Sequence, residues 1–354
     1  MDPLEPSRPK ARPALDLVVL SAEAVASGVI SLKLAAPGAA ALPAWTPGAH
    51  IDLHLPSGLV RSYSLHGDPR ERGAYHIAVL NAPDGRGGSA EVHRIAAPGA
   101  AVRASAPRNA FALEQASHYL FLAGGIGVTP LLAMAREVSR RGEKWTFVYG
   151  GRSRDHMAFL DALSALPGGE LRVVPQDEAG LPDFAPAFAA LPAGAAAYCC
   201  GPSGMLDAAL AIGERVRPDI PVRLERFVAP PASADPGEDQ GFEVELARSG
   251  VTLTVPPGVS VLDAVRAEIP GVMSSCEEGI CSACETAVLA GLPDHRDSVL
   301  TPKERAANNY MMICVSRALT ARLILDLLSA APPPNGNTSP ARVKALLILT
   351  TSVA

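Results

Sequence analysis

The sequence lacks any apolar run long enough to cross a membrane. Its longest apolar stretch, Tyr119 to Ala135, is interrupted by three glycines and Pro130, whereas a membrane helix needs about 20 apolar residues. The first residues, Met1 to Arg12, are polar and rich in proline, without the apolar core of a secretory signal. We therefore expect a cytoplasmic protein that does not bind membranes.

The sequence also lacks a strong excess of either charge. Lys and Arg number 31 and Asp and Glu 36, which gives a formal net charge of -5 in 354 residues. It has no basic cluster of the kind that binds nucleic acid. Its eight histidines are scattered and form no convincing triad. The charge pattern argues against nucleic-acid binding, and none of the histidines is assigned a role. Hydrophobic residues, at 48%, supply cores for two or three domains.

Cysteine is absent from the first 198 residues, and four of the six cysteines lie after residue 275. These four follow the pattern C-x4-C-x2-C, then a 29-residue gap and a last cysteine: Cys276, Cys281, Cys284 and Cys314. This is the plant-type spacing of a [2Fe–2S] cluster. Buried free cysteines or a zinc site are the alternatives, but zinc sites usually pair two C-x2-C halves. The spacing favours the iron–sulfur cluster with these four ligands.

The pattern of short apolar runs divides the chain into three folded regions. Residues 10–108 alternate strand-like runs with proline and glycine, which predicts an antiparallel β-barrel. Residues 109–228 alternate strands with helices, which predicts a doubly wound α/β domain. Residues 241–329 hold the cysteine loop. Residues 229–240 have the composition of a linker, and residues 330–354 that of a disordered tail.

Within these regions, periodicity predicts the individual elements. The predicted strands are Leu17–Leu20, Ile30–Leu34, Ile51–Leu55, Tyr75–Leu80, Tyr119–Leu122, Trp145–Tyr149, Leu171–Val174, Ala195–Cys199, Phe242–Ala247 and Val251–Val255. The predicted helices are Pro130–Arg140, His156–Leu166 and Ser260–Glu268, with a short helix after the capping box at Thr301.

A glycine-rich turn follows the first strand of the α/β region. Its sequence, GGIGVTP from Gly124 to Pro130, places Thr129 as a helix N-cap and Pro130 at the first helical position. Backbone N–H groups at such a turn bind a pyrophosphate. The sequence CGPSGM from Cys200 lies at another strand end, where doubly wound sheets bind ligands. An ordinary strand–helix connection and a buried core cysteine are the alternatives.

Two motifs in the β-barrel region predict a flavin site. The sequence RSYS, from Arg61 to Ser64, combines an arginine, hydroxyl groups and an aromatic ring. The sequence GRGGS, from Gly85 to Ser89, precedes a helical stretch that ends near Ile95, with Ser89 as a good N-cap. The N-terminus of that helix presents free N–H groups to an anion. Taken alone, these motifs also fit a surface Arg–Tyr pair and a flexible hairpin loop.

The order of these four motifs resembles the phthalate dioxygenase reductase family, which includes the vanillate O-demethylase oxidoreductases. The resemblance runs from about Leu15 to Ser329. It implies an FMN-binding β-barrel, an NADH-binding α/β domain and an α+β plant-type ferredoxin domain with the β-grasp fold. The chain would therefore be an oxidoreductase in which FMN, a [2Fe–2S] cluster and the co-substrate NADH act in sequence.

The resemblance also implies roles for individual residues. Arg61 would lie near the FMN phosphate and Tyr63 against the flavin ring, and Cys200 would lie near the reactive carbon of the nicotinamide. Phe227, in the segment Glu225-Arg226-Phe227, would cover the flavin, although core packing is an alternative for this ring. The other implied contacts with FMN are Ser64, Ala78, Val79, Leu80, Gly87, Gly88 and Ser89. The implied contacts with the nucleotide are Gly125, Gly127 and Thr129.

The expected function is transfer of a hydride from NADH to FMN, followed by single-electron transfer through the cluster to a partner oxygenase, of the Rieske type. A cytochrome P450 or another acceptor is the first alternative, and a non-enzymatic ferredoxin-like carrier is the second. Arg152, Ser153 and Arg154 suit a 2′-phosphate whereas Asp155 suits a ribose diol, so NADH is expected from the family alone. Glu277 and Glu278 are expected to guide docking of the partner.

Overall fold

The computed structural model describes residues 14–83, 85–228, 240–300 and 302–327. It divides into two compact units, one through Phe227 and one from Val228 onward. The N-terminal arm, most of the predicted linker, Thr301 of the predicted capping box and the predicted tail lie outside the described residues. None of the helices in the described ranges is long and apolar enough to span a membrane.

The first half of unit one is an antiparallel barrel. Its strands lie in the order β4-β3-β6-β1-β2-β5, with β7 beside β3. A bridge between Leu65 and Ile77 joins the end of β4 to β5 and closes the sheet. The core contains Leu17, Ile51 and Val79. The elements are β1 (Ala14–Ala26), β2 (Val29–Ala35), β3 (Ala49–His54), β4 (Val60–Ser64), β5 (Tyr75–Leu80), α1 (Gly88–Ile95), β6 (Ala101–Ser105) and β7 (Arg108–Asn109).

The second half of unit one is a five-stranded parallel sheet in the order β10-β9-β8-β11-β12. The chain reverses direction across the sheet between β8 and β11, and doubly wound sheets bind ligands at that point. The elements are β8 (Tyr119–Gly124), α2 (Val128–Arg140), β9 (Trp145–Gly151), α3 (Leu160–Ser164), β10 (Gly169–Pro175), α4 (Gln176–Ala179), α5 (Ala185–Ala189), β11 (Ala196–Cys200), α6 (Ser203–Val216) and β12 (Val222–Glu225).

Unit two has a mixed sheet in the order β14-β13-β19-β15-β17. Strand β13 is antiparallel to β14 and parallel to β19. Helix α7 begins after Ser260, whose hydroxyl accepts from the Asp263 N–H at 3.0 Å. The elements are β13 (Phe242–Leu246), β14 (Val251–Val255), α7 (Val261–Arg266), β15 (Glu285–Ala290), β16 (Pro293–Asp294), α8 (Pro302–Ala307), β17 (Tyr310–Met312), β18 (Arg317–Ala318) and β19 (Arg322–Leu325).

The predicted helix His156–Leu166 is wrong in extent. The structure has a 3-10 turn at Arg154–His156 and a short helix at Leu160–Ser164. Phe159, between them, adopts a left-handed conformation with φ 65°. A continuous right-handed helix through this residue is therefore excluded, because a left-handed residue breaks the helical hydrogen-bond pattern.

Candidate functional site

The predicted phosphate turn precedes helix α1. Gly87 is the N-cap with φ 82°, a left-handed conformation that suits glycine. A Cβ on Gly88 would lie 2.6 Å from Arg61 Nε, so the Arg61 side chain lies directly against the first residue of α1. The turn thus combines the free N–H groups of a helix N-terminus with a guanidinium, as a phosphate requires.

Ser89 is not the N-cap that the sequence predicted. Helix α1 begins one residue earlier, at Gly88. The Ser89 hydroxyl accepts from the Ala82 N–H at 3.1 Å and so holds the preceding loop. Glu91, in the first turn, is buried and accepts from the backbone N–H of Ser57 at 3.1 Å. Neither side chain therefore occupies the N-terminus of the helix, where the chain consists of Gly87 and Gly88.

Arg61 carries an unsatisfied donor. Its Nη1 donates to the Val60 carbonyl oxygen at 2.8 Å, while its buried Nη2 has no hydrogen-bond partner within the described residues. A buried donor without an acceptor is costly, and a charged donor more so. An anion between Arg61 and the start of α1 would satisfy it. The residues present therefore fit the phosphate of FMN.

Strands β4 and β5 supply the other predicted flavin contacts. Burial raises the pKa of Tyr63 to about 12, with the charge of Arg61 opposing that rise, so its phenol is neutral at pH 7. Ala78 is buried and Leu80 is exposed on the outer face of β5. The Val79 side chain lies in the barrel core, and its carbonyl accepts from His93 Nε2 at 2.9 Å. Any contact of Val79 with FMN would therefore come from its backbone N–H.

The glycine turn of the parallel sheet packs against the CGPSGM turn. A Cβ on Gly127 would lie 2.2 Å from the Cys200 carbonyl oxygen, and one on Gly124 would lie 2.6 Å from Met205 Sδ. Gly125, in contrast, has φ 52° and no atom within 4 Å of an added Cβ. The two turns thus touch backbone to backbone while Gly125 faces open space, as a pyrophosphate-binding turn requires.

Thr129 is not the N-cap of helix α2. The helix begins at Val128, with Gly127 as N-cap and no side-chain cap. The Thr129 hydroxyl donates to the Ile126 carbonyl oxygen at 3.0 Å, and its side chain is buried. Thr129 therefore fixes the shape of the turn from inside. Its predicted contact with the nucleotide stays a prediction.

Cys200, Glu225 and Ser64 converge at the junction of barrel and sheet. Cys200 and Glu225 are register partners on β11 and β12. Glu225 Oε2 lies 3.5 Å from Ser64 Oγ, which donates to it. Burial raises the pKa of Glu225 to about 8, opposed by the bond from Ser64. Burial, with the charge of Glu225, raises the pKa of Cys200 as well. Glu225 had no predicted role of its own, and its only signal in the sequence is the E-x-F segment.

Phe227 lies close to this junction, two residues beyond the end of β12. Its ring is partly buried and packs against the core between helix α2 and the parallel sheet. This packing is the alternative that the sequence analysis left open. Its role over the flavin stays a prediction.

The residues predicted to select the nucleotide follow strand β9. Arg154 is paired with Glu178, with Nε to Oε1 at 2.9 Å. Ser153 Oγ lies 2.7 Å from His156 Nδ1. The Asp155 carbonyl accepts from the Ser27 N–H of the barrel at 2.7 Å, and its side chain lies on an exposed turn. Two of the three groups suited to a 2′-phosphate therefore already have partners.

The cluster cysteines lie in two pairs. All four are free thiols. The thiol of Cys276 is hydrogen-bonded to that of Cys281, and this contact, with burial, raises the pKa of Cys276. The thiol of Cys314 is bonded to that of Cys284 with the same effect. No three His, Cys, Asp or Glu residues within the described ranges converge on a single metal ion. A two-iron cluster needs two ligands for each iron, and the two pairs fit it.

Three residues of the cysteine loop adopt a left-handed backbone conformation. Glu277, Gly279 and Ser282 all have positive φ, at 57°, 69° and 58°. A Cβ on Gly279 would lie 2.6 Å from Val315 Cγ2, so only glycine fits there. The Glu278 N–H donates to Cys276 Sγ at 3.3 Å. Such N–H bonds to sulfur stabilise the charge of an iron–sulfur cluster.

Glu277 is not simply an exposed docking acid. Its carboxylate pairs with Arg266 at the end of helix α7 and accepts from Ser274 Oγ at 3.1 Å. Part of its charge is therefore neutralised within unit two. Its predicted part in guiding a partner stays a prediction.

Comparison with protein families identifies two domains. Residues 121–210 match the oxidoreductase NAD-binding domain, and residues 244–319 match the 2Fe-2S iron-sulfur cluster binding domain. The first match contains the turn from Gly125 to Thr129 together with Cys200. The second contains all four cluster cysteines.

Several known proteins are similar over nearly the whole chain. Phenoxybenzoate dioxygenase subunit beta of Ectopseudomonas oleovorans is 48% identical, and the alignment covers 88% of this chain and 97% of that protein. The vanillate O-demethylase oxidoreductase of a Pseudomonas species is 38% identical, with 88% and 100% covered. The reductase subunit of phthalate 4,5-dioxygenase from Pseudomonas putida is 36% identical, with 88% and 96% covered.

Two solved structures are also similar to this chain over most of its length. Phthalate dioxygenase reductase, described as a modular structure for electron transfer from pyridine nucleotides to [2Fe-2S], is 36% identical with a TM-score of 0.64, and 89% of this chain and 98% of that chain are covered. An intact type IV self-sufficient cytochrome P450 monooxygenase is 42% identical with a TM-score of 0.81 and 89% of this chain covered. This chain spans only 41% of that longer protein.

Proposed function

Because the chain belongs to the phthalate dioxygenase reductase family, we propose that it passes electrons from NADH to a terminal oxygenase of the Rieske type. It is an oxidoreductase of the oxygenase-reductase class, with NAD-binding and [2Fe–2S] domains, and FMN completes the cofactors. Bound FMN accepts a hydride from the nicotinamide, and a [2Fe–2S] cluster carries single electrons. The observation that carries the flavin proposal is the unsatisfied Nη2 of Arg61 beside the start of α1.

The residues of this chain would supply binding, orientation and charge. Arg61 and the N–H groups at the start of α1 would bind the FMN phosphate. The turn from Gly125 to Gly127 would bind the pyrophosphate of the nucleotide. Cys200 and Glu225 would lie beside the reacting groups. At pH 7 the pKa of about 8 leaves the Glu225 carboxyl protonated, while its Oε2 accepts a hydrogen bond from Ser64.

We favour NADH over NADPH. Arg154 is occupied by Glu178 and Ser153 by His156, so a 2′-phosphate would have to displace existing partners. Asp155, on the exposed turn, is suited to a ribose diol and would repel a phosphate. Measuring kcat/KM with each nucleotide tests this preference. A higher value for NADPH would contradict it.

The electron acceptor is proposed from the relatives. Phenoxybenzoate dioxygenase, vanillate O-demethylase and phthalate 4,5-dioxygenase are oxygenase systems in which the similar chain is named as a subunit or oxidoreductase. A cytochrome P450 is the second candidate, because an intact type IV self-sufficient cytochrome P450 monooxygenase contains a region 42% identical to this chain. Stopped-flow reduction of each acceptor class by the NADH-reduced protein would distinguish the two.

We also propose that the protein works in the cytoplasm. Its cluster ligands are thiolates, which a reducing compartment preserves, and its proposed electron donor is a cytoplasmic nucleotide. Cell fractionation with detection of the native chain tests this. Recovery in a periplasmic fraction would contradict it.

The decisive experiment for the electron path is anaerobic reduction. The protein is purified without oxygen and its visible spectrum is recorded before and after addition of NADH. Bleaching of both flavin and iron–sulfur bands, with flavin that migrates as FMN after release, is the expected result. A cluster spectrum without flavin, or no bleaching by either nucleotide, would instead favour a simple ferredoxin-like carrier.

A further inference from the structure

His66 makes an aromatic contact between the two predicted binding regions of unit one. It lies two residues beyond Ser64 of the RSYS motif. Its ring centroid is 4.5 Å from that of Phe159, which precedes helix α3 of the nucleotide-binding half. The His66 residue is only 4% exposed. Neither residue belongs to a motif that the sequence analysis identified, so the contact has no role in the function described so far.

Both halves of unit one hold His66. On the barrel side, its Nε2 lies 3.3 Å from Ser31 Oγ, and Ser31 is the register partner of Ala78. On the other side, Arg136 of helix α2 donates to the His66 carbonyl oxygen. Helix α2 starts directly after the glycine turn. His66 therefore contacts both the predicted flavin strands and helix α2, which directly follows the nucleotide turn.

Phe159 continues this connection into the nucleotide-binding half. Its ring packs against the core around α2 and also against a small cluster that contains Ala78 of the barrel. The preceding Ala158 carbonyl oxygen lies 3.2 Å from Tyr149 Oη, and the Gly125 carbonyl oxygen lies at the same distance from that hydroxyl. Contacts therefore run without interruption from His66 through Phe159 and Tyr149 to Gly125.

The imidazole acts here as a flat, uncharged ring. Burial, followed by the charges of His76 and Arg136, lowers the pKa of His66 to about 3. Its buried Nδ1 has no hydrogen-bond partner within the described residues. The surface that it presents to Phe159 is therefore that of a neutral aromatic ring. A phenyl ring would keep this ring contact and the backbone bond from Arg136, and would lose only the bond to Ser31.

We propose that the His66–Phe159 contact positions the nucleotide turn against the predicted flavin strands, and thereby sets the rate of hydride transfer. This inference rests on the proposed function. A hydride moves only when donor and acceptor are about 3–3.5 Å apart, and a displacement of about 1 Å lowers the rate about 100-fold. His66 is a positioning residue, because it acts through Phe159 and the turn and not on the reacting atoms.

The test compares His66→Ala and His66→Phe with the full-length wild-type protein in anaerobic stopped-flow experiments. For His66→Ala we expect the limiting rate of flavin reduction by NADH to fall about 10- to 100-fold. The dissociation constant for NADH and the flavin content should stay within about twofold, since the contact is not a binding contact. For His66→Phe we expect a rate close to that of the wild type.

Two further measurements separate positioning from loss of structure. The long-wavelength charge-transfer band that forms between nicotinamide and flavin should weaken in His66→Ala and return in His66→Phe. Amide hydrogen exchange of the flavin-free protein should rise around Phe159 and at the glycine turn. His118→Ala is the matched control, because His118 is a partly buried histidine of the nucleotide-binding half, and among the described residues its ring bonds to Thr146 of that same half and not to the barrel.

Each outcome bears on the proposal. An unchanged limiting rate in His66→Ala, or equal loss in His118→Ala, would overturn it, and so would a rate in His66→Phe as low as that in His66→Ala. Should His66→Ala fail to fold, Phe159→Leu replaces it with the same expectations. Failure of the proposed function looks different, because the wild-type flavin itself would then not be reduced by NADH.

Discussion

Arg61 shows how one side chain can indicate a ligand. Its guanidinium lies against the start of α1, and one of its buried nitrogens lacks an acceptor within the described residues. The sequence suggested this role only by resemblance, because a four-residue RSYS pattern is common. What the sequence could not give is the contact between Arg61 and Gly88, which are 27 positions apart and meet only when the barrel closes.

Replacing Arg61 by Ala should weaken FMN binding about 10- to 100-fold, since a hydrogen bond to a charged group contributes about 1.5–3 kcal/mol. Quenching of flavin fluorescence on titration of the flavin-free protein measures this. The matched control is Arg103→Ala, on an exposed position of β6 in the same barrel. Equal affinity for FMN in Arg61→Ala and Arg103→Ala would contradict the assignment.

Glu225 makes the stability of unit one depend on pH. Its folded pKa of about 8 lies above the ordinary value of 4.5. The stabilisation is therefore complete below about pH 4.5 and is lost as the pH rises through about 8. The loss should amount to a few kcal/mol, given about 1.4 kcal/mol per pKa unit. In Glu225→Gln this decline should disappear.

Urea unfolding between pH 5 and pH 9 measures this effect. Both tryptophans, Trp45 and Trp145, lie in unit one, so their fluorescence reports on that unit alone. The free energy of unfolding of the wild type should fall with pH more steeply than that of Glu225→Gln. Parallel curves would show that Glu225 titrates normally.

At the scale of elements, the sequence predicted most strands correctly and the start of helix α2 to within two residues. The N-caps predicted for α1 and α2 and the extent of the helix His156–Leu166 were wrong. The strands follow from runs of buried apolar residues such as Tyr119–Leu122. The capping predictions at Ser89 and Thr129 were wrong because glycine N-caps precede both helices, and each hydroxyl has a different acceptor or donor nearby. Local propensity cannot tell a cap from a hydroxyl one or two residues inside the helix.

The glycine turn tolerates no side chain at Gly127. In Gly127→Ala the new Cβ would meet the Cys200 carbonyl at 2.2 Å, and this backbone atom cannot easily move. We expect a loss of about 1–3 kcal/mol in stability, together with weaker NADH binding. The control is Gly204→Ala in helix α6, where no atom lies within 4 Å of the added Cβ and alanine favours the helix. Thermal unfolding and NADH titration of both variants check the prediction.

The cysteine loop depends on Gly279 in the same way. Gly279→Ala combines a positive φ of 69° with a contact of 2.6 Å to Val315. We expect the purified protein to hold less iron and to show weaker visible absorption of the cluster per chain. Gly271→Ala, with open space around its Cβ, is the control. Full iron content in Gly279→Ala would mean that the loop adapts to a side chain.

At the scale of the whole molecule, the order of barrel, α/β domain and cluster domain could be predicted because each carries its own motif. The boundary predicted at residue 108 stays a prediction, since barrel and parallel sheet form one compact unit. The His66–Phe159 contact is one of the contacts that join the barrel to the parallel sheet within this unit. These residues are 93 positions apart, and neither belongs to one of the four motifs.

Cleavage within residues 229–239 should separate the two electron-transfer steps. A recognition sequence for a site-specific protease, inserted after Glu238 of this predicted linker, confines the cleavage to that position. We expect the flavin to remain with the N-terminal fragment and the iron with the C-terminal fragment. NADH should still reduce the flavin, while reduction of the cluster becomes dependent on protein concentration. Cluster reduction that stays independent of concentration after cleavage would contradict this, as would flavin in the C-terminal fragment.

The two adjacent cysteines, Cys199 and Cys200, provide an internal reference for counting reactive thiols. Cys199 belongs to the core on one face of the parallel sheet and Cys200 to the core on the other. Burial raises the pKa of both thiols, that of Cys199 to about 12. Thiol reagents attack the thiolate, so neither cysteine should react in the native protein. Titration with such a reagent should therefore count four thiols as iron is removed and six only after unfolding, which measures cluster occupancy without reference to colour.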